Sequence, residues 1–453
     1  MLRRRQLGLA AAGTLAPVAL AAPALAQGGP TEIQFWHGLA QPLGGLLEAI
    51  ANDFNNSQNR ARVVSTFRGG YPETMVAAIA AFRAGTAPHI VQMFEVGTGT
   101  MMAAGRAIKP LHELLRETNV NINFDDYLPA VRGYYSLADG RMMSMPFNSS
   151  TAIMFYNKDA FRRAGLNPDE APKTWAEVRQ AAQRIKAAGH EMPFTTAWPT
   201  WTQIEQQSAI HNQEIASQEN GFGGLNTELR VNNPLMQRHF TNLLEMGREG
   251  TFRWGGRDSA GDALFASGQA AIVHASSGAR ARFVREVPGG VANIGAAMLP
   301  YYEDVPGAPI NSIIGGASFW AMNRGPNAQR SADENRAIAE FFAFLARPEV
   351  AAKWHTDTGF LPVTRSAYER VRQSGFYEQN PGADIPIQQL LRGDRMTGAS
   401  RGIRLGGFVE IRVIMQEEME RALQGQQAAP QALQNMTTRG NAVLRNFERT
   451  NRG

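Results

Sequence analysis

ARVVSTFRGGYPETMVAAIAAFRAGTAPHIVQMF, residues 61–94, reads as strand, turn, helix, turn and strand in unbroken succession. Ala61–Phe67 is rich in Val and Thr, the branched residues that suit a pleated surface. Arg68-Gly69-Gly70 breaks the strand, and Pro72–Arg83 then carries apolar residues at helical spacing. Gly85 and Pro88 end the helix, and His89–Phe94 is a short apolar strand. Upstream, Glu32–Trp36 is another strand, followed by a helical pattern at Leu46, Leu47, Ile50 and Phe54. Such βαβα order implies a mainly parallel sheet covered by helices, an α/β protein.

The pattern returns downstream. Ala152–Tyr156, Ala271–His274 and Ala292–Met298 are strand candidates. Thr174-Trp175-Ala176-Glu177 and Ser331-Ala332-Asp333-Glu334 are capping boxes that open helices reaching about Ala188 and Leu345. The last third reads as helical over Val413–Leu423 and Pro430–Phe447. Gly/Asn-rich stretches at 213–234 and 253–261 are loops, too short to link independent domains. Two lobes built from interleaved segments are expected.

At the N-terminus Arg3-Arg4-Arg5 precedes an Ala/Leu-rich stretch and Ala24-Leu25-Ala26. This order predicts a cleaved secretory signal peptide over residues 1–26. Pro17, Pro23 and the short apolar run argue against a membrane anchor. Arg4-Arg5 leaves both the general secretory (Sec) and the twin-arginine (Tat) export routes open. The chain has no cysteine, which excludes a lipid-bearing thiol, disulfides and thiolate chemistry. An exported protein without a lipid is expected in the periplasm of a Gram-negative bacterium. Of 45 Lys and Arg, three lie in the signal, leaving 42 against 40 Asp and Glu. A mature surface so nearly balanced carries no nucleic-acid footprint.

Enzyme motifs are missing. The eight histidines form no short metal-ligand spacing, and no Walker A loop or G-x-G-x-x-G follows a strand. Gly315-Gly316-Ala317-Ser318-Phe319 fails as a nucleophile elbow because Phe319 stands where glycine is required. Asp125-Asp126 and Glu417-Glu418 read as solvated acids. No catalytic residue, metal site or cofactor is expected.

Binding chemistry is better represented. Polar groups, aromatics and glycines gather in Phe67–Tyr71, Phe94–Thr98, Ala275–Gly278 and Ile313–Ser318, the last read as a glycine turn. Met145–Thr151 reads as a polar turn before a strand. Trp198 and Trp201 flank Pro199-Thr200, and Arg401, Arg404 and Arg412 surround three glycines. In open α/β sheets ligands bind beyond the carboxyl ends of strands, where Glu95 falls.

These segments resemble the glycerol-3-phosphate-binding members of extracellular solute-binding protein family 1, which serve ABC importers. FWHG at 35–38, the stretches 77–102 and 145–166, IIGGASFW at 313–320, GFYEQNPGAD at 375–384 and IRLGGFVEIR at 403–412 carry the likeness. It implies a type II, maltose-binding-protein-like fold of two α/β lobes joined by hinge strands. Residues 27–146 with 296–348 would form one lobe, and 147–295 with 349–453 the other. The family pattern implies that Tyr71, Glu95 and Ser150 meet glycerol hydroxyls, that Ser276, Gly316 and Arg412 meet phosphate, and that Trp198 and Trp201 form an aromatic wall. It also implies a monomer that hands a glyceryl phosphate to inner-membrane permease subunits. Phe360 departs from the family's tyrosine in Thr358-Gly359-Phe360-Leu361-Pro362. A lost hydroxyl donor favours a phosphodiester such as glycerophosphocholine, which has fewer terminal oxygens than a monoester. A neutral sugar or oligosaccharide is the alternative cargo; a secreted glycerophosphodiesterase or glycosidase is the alternative from another class.

Overall fold

The computed structural model describes residues 29–393 and 396–451; the expected signal peptide lies outside them. Ten strands form two sheets. The first contains β1 (Thr31–His37), β2 (Ala61–Phe67), β3 (Ile90–Phe94), β4 (Ile108–Lys109) and β5 (Met145–Ser150). The second is built from β6 (Ala152–Asn157), β7 (Met192–Thr196), β8 (Ala270–Ser276) and β9 (Ile294–Ala297), in the order β7-β8-β6-β9. The chain then returns to the first sheet as β10 (Gly315–Met322), giving β2-β1-β3-β10-β4 with β5 also on β10.

Interleaving is therefore a matter of strand pairing. β1 pairs in parallel with β2 and β3. β10 arrives from the second sheet and runs antiparallel to β3, β4 and β5. The expectation of a mainly parallel sheet holds only for β1–β3. In the second sheet only β7 and β8 are parallel, while β6 runs against β8 and β9.

Two segments read as turns are strands. Met145–Ser150 is β5, buried at every position, and Gly315–Met322 is β10. Their polar residues do not mark exposure; buried partners answer two of them, Ser144 donating to Ser318 at 2.8 Å and Gln92 to Asn148 at 3.0 Å. Two glycines open β10. A side chain at Gly316, where φ is +87°, would meet the Asn148 carbonyl at 2.0 Å, so close pairing with β5 requires glycine there.

Both capping boxes form as expected, at Thr174/Glu177 and Ser331/Glu334. The helix at Phe408–Leu423 starts five residues before its apolar pattern does, after a left-handed Gly407.

A buried cluster around Phe35, Phe319 and Phe341 fills one side of the first sheet. Trp354, Phe360, Val371 and Leu390 join it, and Trp354 lies 5.0 Å from Phe147. The expected division put these residues with the second lobe; they share the first sheet's buried cluster, while Gln389 of the same segment reaches β6 of the second sheet. The second sheet is covered by clusters around Trp175 and Phe194 and around Phe265 and Phe283.

The crossings between sheets are tied by buried polar groups. Thr151 separates β5 from β6; its hydroxyl donates to the Ile313 carbonyl and can accept from the Ser312 hydroxyl, each at 2.8 Å. Gln206 brackets Ile313, donating to its carbonyl and accepting from its N–H. Gln389 donates to the Ala152 carbonyl at 2.7 Å and accepts from Leu299 N–H at 2.6 Å.

Candidate functional site

A cavity of about 350 Å³ opens between the sheets. Tyr71, Glu95, Ser150, Trp198, Trp201, Ser276, Gly316, Phe360 and Arg412 all line it. Eight different elements or connections deliver these nine residues, Trp198 and Trp201 sharing one. Glu95 follows the last residue of β3, Ser150 ends β5 and Ser276 ends β8, so the carboxyl ends of strands from both sheets face the space. Tyr71 opens the helix Tyr71–Arg83, and Arg412 lies on the second turn of Phe408–Leu423.

Trp201 begins a π-helical turn, Trp201–Glu205. The wider turn keeps Trp201 on the cavity while Glu205 reaches Arg412. Trp201 packs over Gly315, where a side chain would meet its ring at 2.4 Å. Trp198 has φ of +50° and donates its N–H to the carbonyl of Asp258, itself at φ +47°. Two non-glycine residues in left-handed backbone, bonded to one another, mark a strained junction at the cavity wall.

Arg412 is surrounded. Its Nε and Nη2 bind the two Glu205 oxygens at 2.7 and 2.6 Å, and Nη2 also meets Glu95 Oε1 at 2.8 Å. All three residues are buried. One guanidinium shared by two carboxylates cannot offset the burial of both. Desolvation holds the Glu95 carboxyl above its usual range against the pull of Arg412, whereas the two carboxylates push the Arg412 pKa up. Only Nη1 of Arg412 is without one of these carboxylate bonds.

Tyr71 is positioned by a buried amide relay. Gly38 N–H donates to Gln92, Gln92 to Asn148, and Asn148 to the Tyr71 hydroxyl, at 2.8, 3.0 and 3.0 Å. Tyr71 stacks on Phe94 with centroids 5.3 Å apart and approaches Trp198 at 6.4 Å. Phe360 stacks nearly parallel on Trp354 at 5.7 Å, and its carbonyl is held by His355 Nδ1 at 2.6 Å. Its ring tip lies over Gly278, where a side chain would meet it at 2.9 Å.

The model of the bacterial extracellular solute-binding protein family matches residues 49–384. The sn-glycerol-3-phosphate-binding periplasmic protein UgpB of Yersinia enterocolitica is 42% identical over 423 residues, covering 93% of this chain and 94% of that protein. The UgpB of Rhizobium meliloti is 43% identical over 415 residues, covering 91% and 94%. The chain belongs to the bacterial extracellular solute-binding proteins. Among solved structures, UgpB from Mycobacterium tuberculosis in complex with glycerophosphocholine matches with a TM-score of 0.74, at 21% identity, over 92% of this chain and 99% of that one. The cyclic α-maltosyl-1,6-maltose binding protein of Arthrobacter globiformis matches at 0.69 and 21%, over 92% and 100%. The fold is thus the two-lobed, maltose-binding-protein-like one.

Some residues of this solute-binding protein's cleft do not belong to the expected set. Arg401 and Arg404, grouped with Arg412 in the sequence, stack on Phe222 at 4.3 and 4.1 Å and do not line the cavity. Arg404 donates to the Gly133 and Tyr134 carbonyls. Conversely, Glu73, Asp258, Asp262 and Arg282 line the cavity without having been expected there. Burial pushes the Asp262 carboxyl up to about 7. Glu205 had a faint signal, standing four residues after Trp201. Asp258 and Asp262 sit in and beside a segment that reads only as a polar loop. Among the described residues no cluster of His, Cys, Asp and Glu suits a metal, and no helix is long and apolar enough to cross a membrane.

Proposed function

We propose that this chain is the periplasmic capture component of an ABC importer, binding sn-glycerol 3-phosphate, glycerophosphodiesters or both in the cleft. The convergence of nine residues from separate parts of the chain on one cavity carries the reading. The names of relatives over 40% identical support the glyceryl phosphate. Glu95 and the Tyr71 hydroxyl suit the glycerol diol, since a carboxylate accepts from two hydroxyls. The left-handed Gly316, Ser276 and the remaining Arg412 N–H groups suit phosphate oxygens. The protein acts by capture, with no chemical step. Ligand that touches both lobes favours the closed form by the difference of its affinity for the two forms. Closed protein then docks, as a monomer, on inner-membrane permease subunits. Residues 1–26 direct export by either route.

A neutral sugar is the second reading. The pairing of Arg412 with two carboxylates favours it, because the guanidinium is already neutralised. Calorimetric titration separates the two. Micromolar or tighter binding of sn-glycerol 3-phosphate or glycerophosphocholine supports the first; binding of maltose with no response to either phosphate ester overturns it. Product formation on prolonged incubation with glycerophosphocholine would reveal an enzyme instead.

A further inference from the structure

We propose that residues 375–384 form a clamp that positions one wall of the cargo cavity, acting through His355 and Asn380 on the contact between Phe360 and Gly278. The proposal rests on the reading of the cavity as a cargo site. None of residues 375–384 lines that cavity, so GFYEQNPGAD has a task other than touching cargo. Its contacts lie behind the wall.

The wall is a seam between the two sheets. Phe360 is buried in the first sheet's cluster, and Leu361 beside it donates its N–H to the Ser149 carbonyl on β5 at 2.7 Å. Gly278 follows β8 of the second sheet. The two meet closely, since a side chain at Gly278 would strike the Phe360 ring at 2.9 Å. Gly359, at φ +90°, makes the turn that brings them together; a side chain there would meet the Ser277 carbonyl at 2.6 Å. Phe360 lies outside every helix and strand. Side chains therefore satisfy its main chain. The Thr358 hydroxyl accepts from its N–H at 3.1 Å, and His355 Nδ1 meets its carbonyl at 2.6 Å.

The clamp holds both sides of this seam. A carbonyl can only accept, so His355 Nδ1 carries the proton. Burial lowers the His355 pKa to about 4, which keeps the ring neutral. Its Nε2 is then an acceptor, and the Tyr377 hydroxyl donates to it at 3.0 Å. Tyr377 thus fixes the tautomer and the tilt of the imidazole that holds Phe360. Three residues on, Asn380 reaches the other side. Its Oδ1 accepts from Arg280 Nη2 at 3.1 Å, and its Nδ2 donates to the Phe376 carbonyl at 3.0 Å. Arg280 stands two residues after Gly278 and opens the helix Arg280–Glu286. Gly382, at φ +81°, seats the clamp on β9, where a side chain would meet Ala296 at 2.9 Å. One short segment therefore grips both partners of a contact that joins the sheets.

Calorimetry with sn-glycerol 3-phosphate, glycerophosphocholine and maltose, together with thermal unfolding, tests the clamp in full-length mature protein. His355→Leu leaves the Phe360 carbonyl without its donor and is expected to weaken both phosphate esters about tenfold. His355→Asn, whose amide N–H stands in for that of Nδ1, should stay within about threefold of wild type. Both variants lose the imidazole's packing and its bond to Tyr377, so both melt lower. Affinity alone tells positioning from structural support. Phe360→Ala/His355→Leu should bind no more than about twofold weaker than Phe360→Ala, because His355 acts through Phe360. Asn380→Ala should weaken both esters about threefold, and Asn380→Asp, which keeps an acceptor for Arg280, should restore them. That pair decides the matter if His355→Leu does not fold. Equal affinities in the two His355 variants, additive losses in the double variant, or unchanged affinity in Asn380→Ala overturns the clamp. Wild type that binds maltose alone overturns the glyceryl phosphate reading, and the same variants are then compared with maltose. Binding of none of the three overturns the cargo site and the clamp with it.

Discussion

At Arg412 a single guanidinium holds two buried glutamates, one following β3 and one on the π-helical turn. Arg412→Ala should therefore do two things. It removes a donor from the ligand and leaves Glu95 and Glu205 buried without their cation, a loss of about 3–5 kcal/mol for a broken buried pair. The expected outcome is at least a hundredfold weaker binding of glyceryl phosphates and a lower melting temperature, read by titration and by thermal unfolding. Unchanged affinity in a folded variant would remove Arg412 from the site. Phe360→Tyr tests the departure from the family pattern. Gly278 leaves the ring tip unobstructed by a side chain. The added hydroxyl should strengthen sn-glycerol 3-phosphate about three- to tenfold more than glycerophosphocholine, as a hydrogen bond of about 1 kcal/mol predicts. The nine expected residues that line the cavity were legible because each belongs to a family stretch or to an unusual local mix of polar, aromatic and glycine residues. Asp258, Asp262 and Glu205 were not, since an acid in a loop or helix has no local mark of burial.

Among the elements, those whose boundaries rest on local chemistry were the most legible. β2 was read at its observed limits, and both capping boxes formed. β5 and β10 were misread because Asn148 and Ser318 are answered by tertiary partners, which a local pattern does not contain. The π-helical turn has the same dependence. Gln203 on that turn donates to Thr196 and to His274 Nδ1, and accepts from His239 Nε2. His239 also accepts from the Tyr302 hydroxyl at 3.1 Å. Burial lowers the His274 pKa to about 3 and the His239 pKa well below the usual value. Both are neutral in the fold, and an unfolded histidine titrates near 6.5. The His274 contribution is thus complete above about pH 6.5 and is lost as pH falls toward 3, by about 1.4 kcal/mol per unit, and that of His239 is lost in the same direction. Asp262 acts in the opposite sense, because its folded pKa is raised. Melting temperatures between pH 7 and pH 4 should fall less steeply in His274→Gln than in wild type. Identical slopes would show that His274 accepts a proton within the fold.

For the molecule as a whole, the interleaving was legible as the absence of a long linker, and the packing of Trp354 and Phe360 into the first sheet's cluster was not, since it depends on which face the segment meets. The three side chains Thr151, Gln206 and Gln389 hold the crossing strands where the lobes join. Gln389→Ala leaves the Ala152 carbonyl and the Leu299 N–H buried and unpaired, at a cost of about 1–3 kcal/mol each. Its melting temperature should drop by several degrees. Small-angle scattering should show a smaller radius of gyration on adding saturating glycerophosphocholine to wild type. No change would argue that the cleft binds without closing.

Trp198 and Trp201 are two of seven tryptophans, and both line the cavity, whereas Trp175, Trp320 and Trp354 are fully enclosed in the cores. Cargo entry changes the polarity and the water around two indoles and leaves these three as a steady background. The protein therefore has an optical signal of its own. A shift in emission on mixing, with no dye attached, would report the rate at which cargo is taken up and released.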